Sequence, residues 1–207
     1  MNDRANIELL HCDCMDYMAK CKDKEFDLAI VDPPYGLPTD AVHGRGKLKN
    51  RIINKDDITK WDIAPDNSYF MLLNFKSKNQ IIWGGNYFDL PPTRGIIAWD
   101  KLQPWDNFSK WEMAWTSFNK PANIYKFDNR TAGKIHPTQK PVALYKWLLK
   151  NYAKPGDRIL DTHLGSGSIA IACWDMGLDL VGCEIDKDYY DAAVKRFENH
   201  KRQLQLF

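Results

Sequence analysis

Residues 26–35 read Phe26-Asp27-Leu28-Ala29-Ile30-Val31-Asp32-Pro33-Pro34-Tyr35. The first six residues form a short apolar run, which predicts a buried β-strand. Two consecutive prolines cannot continue a central strand, because proline lacks the amide donor and has a fixed φ angle. The chain therefore leaves the sheet at Asp32, with a carboxylate, a stiff turn and an aromatic ring at the strand's carboxyl end. That edge is where open α/β sheets bind their ligands.

A second strand and turn lie far along the chain. Residues 158–161 (RILD) predict a strand, residues 162–168 (THLGSGS) a glycine turn, and residues 169–174 the start of a helix. Glycines in such a turn let the backbone approach a ligand closely at the helix start. A further strand, residues 180–183, ends at Glu184, an acid well placed for the two hydroxyls of an adenosine ribose.

A dinucleotide-binding unit is the alternative interpretation of this turn. Such units carry a third glycine at a set spacing, and this chain has none there. Asp161 also precedes the turn, where its charge would repel a pyrophosphate but would suit the ammonium group of S-adenosylmethionine. The residues therefore favour S-adenosylmethionine as the cofactor.

The tetrapeptide Asp32-Pro33-Pro34-Tyr35 resembles the catalytic motif of the amino-methyltransferases that modify adenine in DNA. Because the catalytic turn precedes the glycine turn, the chain resembles the beta-type enzymes of that family over nearly its whole length. The resemblance implies a Rossmann-like α/β methyltransferase fold with a seven-stranded, mostly parallel sheet and a permuted order of motifs. It also implies a single domain over residues 1–207, with a catalytic half, a cofactor half and a tail at 1–135, 136–200 and 201–207.

The chemistry of amine methylation explains these residue types. An exocyclic amine of adenine is a poor nucleophile, because its lone pair is delocalised into the ring. The Asp32 carboxylate and a backbone carbonyl of the Pro33-Pro34 turn can each accept one amine hydrogen. Those bonds favour a tetrahedral nitrogen and stabilise the positive charge that develops during transfer. Tyr35 offers a flat face for the base, which must flip out of a duplex to reach the pocket.

The resemblance also implies a set of cofactor-binding residues. Asp13 follows the strand predicted at residues 7–12 and stands where an acid faces the cofactor's adenine. The segment His136-Pro137-Thr138-Gln139-Lys140-Pro141 resembles the one that touches the methionine end. The full set is Asp13, Thr138, Lys140, Asp161, Leu164, Gly165, Ser166, Gly167 and Glu184. His163 is a departure, because the family usually carries phenylalanine there.

Length and composition fit one compact enzyme. The 207 residues can bury a sizeable core, and the formal net charge of +2 neither requires nor excludes a nucleic acid partner. No apolar run is long enough to span a membrane, and the N-terminus lacks a signal-peptide hydrophobic region. Five cysteines without framework spacing predict free thiols in a reducing compartment. His11 and the nearby cysteines lack a familiar zinc spacing, so no metal site is expected.

Two basic segments are candidates for binding DNA. Residues 42–60 carry six basic and two acidic side chains and begin shortly after the catalytic turn. Phosphate contacts there would give affinity without sequence readout, and the residues expected to make them are Arg45, Lys47, Lys49 and Arg51. A solvated loop is the alternative. Residues 119–134 are the second candidate, in a recognition region so short that readout could be shared between the subunits of a homodimer.

The last five residues, Gln203-Leu204-Gln205-Leu206-Phe207, have two interpretations. They could fold back and cap the domain, since large apolar side chains usually become buried. They also resemble the Gln-Leu-x-Leu-Phe motif by which bacterial replication and repair proteins bind the sliding clamp. That resemblance implies a bacterial or phage source, a cytoplasmic location and a place beside newly copied DNA.

The predicted function is site-specific methylation of adenine N6 in DNA. Adenine in RNA and cytosine N4 in DNA remain alternatives, because their exocyclic amines pose the same chemical problem. A non-catalytic nucleic-acid-binding accessory subunit of the same fold is an alternative from a different class. Such a subunit would be expected to have lost one of the two motifs, whereas both are intact here.

Overall fold

A computed structural model describes residues 5–37, 63–104, 106, 109–128 and 139–204, with only the backbone at 204. Among them, eight strands form one sheet: β1 Ile7–His11, β2 Phe26–Val31, β3 Ser77–Trp83, β4 Ile96–Asp100, β5 Trp111–Thr116, β6 Asn123–Lys126, β7 Arg158–Asp161 and β8 Asp179–Glu184. The same residues form five α-helices: α1 Cys14–Lys20, α2 Asn67–Lys76, α3 Val142–Tyr152, α4 Ser168–Met176 and α5 Lys187–Leu204.

The strand order across the sheet is β1-β8-β7-β2-β3-β5-β4-β6. Within it only β5 runs against its neighbours, so the predicted mostly parallel α/β fold is confirmed. The number of strands is eight, where the resemblance implied seven. The additional strand, β6, lies at one edge of the sheet and pairs with β4. Its Tyr125 packs on Trp147 of α3, with the ring centroids 5.0 Å apart.

The predicted strand at residues 26–31 lies in the centre of the sheet, between β7 and β3. Its side chains alternate between two apolar layers, as expected for a strand covered on both faces. Leu28 and Ile30 belong to the layer under α3 and α4, whereas Ala29 and Val31 face the layer formed with α1 and α2. The five neighbouring parallel strands bring their carboxyl ends to one edge, and Asp32 stands at that edge between the ends of β7 and β3.

Two local predictions need correction. The segment after residue 200 is not yet a tail, because α5 continues to Leu204. Lys201 lies over the rings of Trp174 and Phe197, which ties this turn of the helix to the domain. Helix α1 was not predicted, and Asp13 caps it by accepting a hydrogen bond from the Met15 amide at 2.7 Å.

The free thiols predicted from the cysteine spacing are confirmed. All five cysteines lie in the described part of the chain and are free thiols. Within the same part of the chain, none of the helices combines the length and the apolar character that a membrane span requires.

Candidate active site

The Asp32 carboxylate is held from both sides. Tyr35 Oη donates a hydrogen bond of 2.7 Å to Asp32 Oδ1, and Lys140 Nζ donates to Asp32 Oδ2. Lys140 lies just before α3, 108 residues further along the chain. An ionised carboxylate oxygen has two acceptor lone pairs, so each oxygen of Asp32 can accept one more hydrogen bond. The site therefore presents a fixed, charged acceptor at the carboxyl end of β2.

The ring of Tyr35 is packed against a turn that follows β3. Tyr87 stacks on it with centroids 4.9 Å apart and an interplanar angle of 24°, and Phe88 approaches edge-on at 6.1 Å. Gly84 stands in the left-handed region at φ +69°, and a Cβ there would lie 2.2 Å from Cε1 of Tyr35. Glycine is therefore needed at this position, because any side chain there would displace the ring of Tyr35.

Lys140 joins Asp32 to a second carboxylate. Its Nζ lies 3.2 Å from Glu112 Oε2 and 5.1 Å from the ring centroid of Trp83, and the side chain is only 2% exposed. Burial alone would lower the pKa of Lys140, but the carboxylates of Asp32 and Glu112 outweigh it and raise this pKa above the usual lysine value. The ammonium group is thus charged and enclosed.

The glycine turn and the ends of β7 and β8 form a second group of side chains at the same edge. Glu184 Oε2 accepts a hydrogen bond of 2.8 Å from the Gly165 amide, and Oε1 accepts one of 3.0 Å from the Asp186 amide. Gly165 and Gly167 both have positive φ, at 51° and 68°, so glycine is the residue that this turn favours.

Asp161 is the most perturbed carboxyl group of the site. It is 2% exposed, and it accepts a hydrogen bond of 3.0 Å from the His163 amide. Burial, with further contributions from the charges of Asp32 and Glu184, raises the pKa of Asp161 to about 8. A buried carboxyl group in that condition is suited to a cationic ligand, whose charge would compensate the cost of ionisation.

These residues fit S-adenosylmethionine. The buried Asp161 suits its ammonium group, and Glu184 can still accept hydrogen bonds from ribose hydroxyls. Ile185, directly after Glu184, is 63% exposed, which leaves an apolar side chain beside the site to cover a flat ring such as adenine. Gly165 lets the backbone approach closely at the start of α4.

The comparison with known families is decisive for the class of protein. The sequence model of the DNA methylase family N6_N4_Mtase matches residues 63–195, more than half of the chain. The chain belongs to this DNA methylase family. The protein is a DNA methyltransferase of the N6/N4 group, and S-adenosylmethionine is its cofactor. The match begins after the catalytic turn and includes both Asp161 and Glu184.

Two relatives are similar to almost the whole of this DNA methylase. The Type II methyltransferase M2.MboI of Moraxella bovis is 23% identical, over 95% of this chain and 89% of its own length. The Type II methyltransferase M2.DpnII of Streptococcus pneumoniae is 24% identical, over 92% of this chain and 89% of its own length. The likeness is therefore to complete methyltransferases and not to one segment of them.

Solved structures share the fold. M1.HpyAVI in complex with S-adenosylmethionine superposes with a TM-score of 0.54 at 24% identity, over 92% of this chain and 99% of its own. The PvuII DNA methyltransferase, described as cytosine-N4-specific, superposes with a TM-score of 0.64 at 16% identity, over 94% of this chain and 87% of its own. The Rossmann-like methyltransferase fold implied by the motifs is thereby confirmed.

The structure gives several predicted cofactor residues of this methylase a structural role. The side chain of Leu164 is 4% exposed and packs in the core. Ser166 Oγ pairs with Ser168 Oγ at 3.1 Å, and the Ser166 carbonyl accepts a hydrogen bond of 2.7 Å from Arg196. Any contact of Leu164 or Ser166 with the cofactor would therefore come from the backbone of the turn, as at Gly165.

Some predicted residues lie outside the described part of the methylase. They are Thr138 in the segment before α3, the four basic residues Arg45, Lys47, Lys49 and Arg51, and the terminal residues 205–207. In the second basic segment, Lys120 donates a hydrogen bond of 2.8 Å to the Asn151 carbonyl and lies over the Tyr152 ring at 4.7 Å. Lys120 therefore secures the link to α3, which makes it a poor candidate for a phosphate contact.

His163 is a neutral, partly buried residue. Its Nδ1 lies 2.9 Å from Thr162 Oγ1, which is hydrogen-bonded in turn to Tyr69 Oη at 2.5 Å. Burial lowers the pKa of His163 to about 4, so the ring is uncharged at neutral pH. The expectation that this histidine packs in place of phenylalanine agrees with that environment.

The sequence did not reveal Glu112 as part of the site. Glu112 is the second residue of β5, with no neighbouring motif to mark it. It reaches Lys140 because β5 runs antiparallel to β3, so that the amino end of β5 lies at the edge where the parallel strands end. Only the pairing of distant strands reveals this contact.

Binding of S-adenosylmethionine is expected to release a proton from Asp161. With a pKa of about 8 in the free protein, this carboxyl group is mostly protonated at pH 7, and a bound ammonium group favours its ionised form. The affinity of the protein for S-adenosylmethionine should therefore increase as the pH rises toward 8. Calorimetry at pH 7 in buffers of different ionisation enthalpy should detect release approaching one proton, and Asp161→Asn should abolish it.

The same carboxyl group is expected to make the ligand-free protein less stable at higher pH. The pKa of Asp161 is raised from 3.8 to about 8 on folding, so the unfolded chain loses its proton first. The free energy of unfolding should therefore fall as pH rises between those values, and Asp161→Asn should flatten this part of the profile. An unchanged profile in the variant would contradict the assignment.

Proposed function

We propose that this protein methylates the N6 amine of adenine at specific sites in DNA. The observation that carries the proposal is the doubly anchored Asp32 carboxylate at the end of β2, followed by the Pro33-Pro34 turn and Tyr35. Relatives that act on cytosine N4 more often carry serine in place of this aspartate. The choice of an acid therefore favours adenine.

Each catalytic residue has a role that follows from its contacts. Asp32 accepts a hydrogen bond from one N–H of the target amine, and a backbone carbonyl of the proline turn accepts a hydrogen bond from the other. Together the two bonds direct the nitrogen lone pair out of the ring plane. Tyr35 orients Asp32 through its hydroxyl group and offers its ring to the flipped base. The negative charge of Asp32 stabilises the positive charge that develops on the nitrogen. S-adenosylmethionine, when bound, supplies the electrophilic methyl group.

The deciding experiment is methylation of DNA with cofactor labelled in the methyl group. Plasmid DNA with known sequence would be digested to nucleosides after the reaction, and the modified nucleosides identified by mass spectrometry. N6-methyladenine at a defined site is expected. N4-methylcytosine would assign the activity to the other amine, methylation of RNA alone would change the substrate class, and no transfer would favour the accessory subunit.

The basic segment containing Arg45, Lys47, Lys49 and Arg51 is proposed to contact the phosphate backbone of DNA. Its position in the sequence supports this, because it begins shortly after Tyr35 and carries an excess of positive charge. Replacing all four with glutamine should weaken binding to cognate and unrelated DNA alike, and reduce the slope of log K against log salt by roughly three to four. Weaker binding of the cognate site alone would instead indicate base readout.

The terminal motif is proposed to bind a bacterial sliding clamp. Its support is the sequence Gln203-Leu204-Gln205-Leu206-Phe207, which would recruit a cytoplasmic methyltransferase to newly copied DNA. Because α5 extends to Leu204, the matched test variant is Leu206→Ala with Phe207→Ala, which preserves chain length and helix. The intact protein should retain purified clamp in a pull-down and the double variant should not. If both proteins retained the clamp equally, or neither retained it, the segment would not be a clamp-binding motif. Capping of the domain would then remain as its role.

A further inference from the structure

Four charged side chains of alternating sign lie side by side behind the catalytic turn. Asp32 contacts Lys140, Lys140 contacts Glu112, and the second oxygen of Glu112 lies 2.5 Å from Lys101 Nζ. They come from the end of β2, the segment before α3, the start of β5 and the end of β4. We define this charge chain by its members, Asp32, Lys140, Glu112 and Lys101.

Lys140 is the member that touches the catalytic carboxylate, and its position depends on what surrounds it. An ammonium group has three donors, and a buried one without partners costs free energy. One donor serves Asp32. At 3.2 Å, Glu112 supplies the second negative charge, and the face of Trp83 closes the third side at 5.1 Å.

Glu112 is in turn anchored by a residue remote from the reaction. Lys101 holds its Oε1 and lies 5.6 Å from the ring centroid of Trp99, on the strand next to β5. Burial raises the pKa of Glu112, but Lys140 and Lys101 outweigh it and hold this pKa below the usual value. The carboxylate is therefore charged and fixed, which makes it a suitable anchor for the ammonium group of Lys140.

The two carboxylates hold Lys140 unequally. Its ammonium group lies closer to Asp32 than to Glu112, so Glu112 does not draw it away from the Asp32 carboxylate. The negative charge of Glu112 on the other side instead limits where the ammonium group can lie. It thereby keeps the contact between Lys140 and Asp32 in one place.

We propose that Glu112 is a positioning residue for methyl transfer, acting through Lys140 on the Asp32 carboxylate. This inference rests on the proposed function. Glu112 does not touch the reacting amine in this arrangement; its role is to set where Lys140 holds Asp32. Loss of Glu112 should therefore lower kcat and leave the KM values for DNA and cofactor nearly unchanged.

The test is Glu112→Gln, with Glu25→Gln as the matched control. Glu25 is also ion-paired, to Arg158, and the exposed fractions of the two glutamate side chains are 23% and 25%. Glu25 precedes β2 and lies at the opposite end of that strand from Asp32. Total incorporation of labelled methyl groups into DNA is measured, whichever base accepts them, together with the melting temperature of each variant.

Glu112→Gln is expected to lower kcat roughly tenfold, in the range found for outer-shell partners of functional groups, while Glu25→Gln keeps wild-type kcat. Glu112→Asp retains the buried charge but withdraws it from Lys140, so it tests positioning even if the glutamine variant does not fold, and its kcat should lie between the two. Wild-type kcat in a folded Glu112→Gln or Glu112→Asp variant would overturn the inference alone. A wild-type protein that transfers no methyl group to DNA would overturn the proposed function as well.

Discussion

Asp32→Ala is expected to reduce methyl transfer at least roughly a hundredfold, the magnitude seen when one preorganised hydrogen bond to a transition state is lost. This carboxylate lies at the edge of the sheet, between Tyr35 Oη and Lys140 Nζ. It contributes a charged hydrogen-bond acceptor there and is not part of the apolar core. Asp32→Asn should be similarly impaired, because an amide keeps the shape of the side chain but not its negative charge.

The fold and the cofactor site should survive both changes at Asp32. Glu112 remains within ion-pair distance of Lys140, so the buried ammonium group keeps one carboxylate partner. S-adenosylmethionine binding, measured by calorimetry, is therefore expected to change little. Asp27→Asn is the control, since Asp27 lies on the same strand and also pairs with a lysine, Lys78, but at the other end. Turnover near the wild-type level in Asp32→Ala would exclude this residue from catalysis.

Gly84→Ala is expected to have the second large effect, by displacing the ring of Tyr35. The added Cβ would lie 2.2 Å from Tyr35 Cε1, a separation that real atoms do not tolerate, and the ring has Tyr87 stacked against it. Tyr35 must therefore shift and loosen its hydrogen bond to Asp32. A displacement of about 1 Å at a reacting centre can cost roughly a hundredfold in rate, and we expect a loss of that order in kcat.

Gly177→Ala separates this effect from backbone strain. Gly177 has φ +70°, nearly the same as the +69° of Gly84, but a Cβ there meets no atom within 4 Å. Backbone strain should cost each variant about 1–2 kcal/mol in stability, because both force alanine into the left-handed region, and Gly84→Ala should lose more because of the contact with Tyr35. Thermal unfolding and single-turnover rates measured for both variants would test this. Equal activity of the two at matched stability would show that the position of Tyr35 is not what Gly84 protects.

The strands of the parallel core could be predicted from the sequence because their signals are local. Residues 26–31 form an uninterrupted apolar run that two prolines end, and the structure has a strand with those bounds. The amphipathic pattern of residues 142–152 likewise predicts α3 to the residue. Asp161 and Glu184 were placed at the site because each ends a strand of a parallel sheet, whose carboxyl ends share one edge.

Elements stabilised mainly by distant contacts were missed. Helix α1 has seven residues, too few for a clear period, and Asp13 caps its start. Strand β6 has four residues, and only Tyr125 among them is partly buried. It forms because β4 offers an edge for pairing and Trp147 packs against Tyr125. Sequence periodicity cannot report such partners.

The sequence by itself determined the class of chemistry: an acid, two prolines and a tyrosine after a buried strand, and a glycine turn between two further acids. Tertiary structure alone decided what holds the acid in place. Lys140 meets Asp32 across 108 residues, and Glu112 joins them because the one antiparallel strand among the described residues turns its start toward the catalytic edge. Electrostatic pairing depends on distance in space, so it became visible only when the strands were assembled.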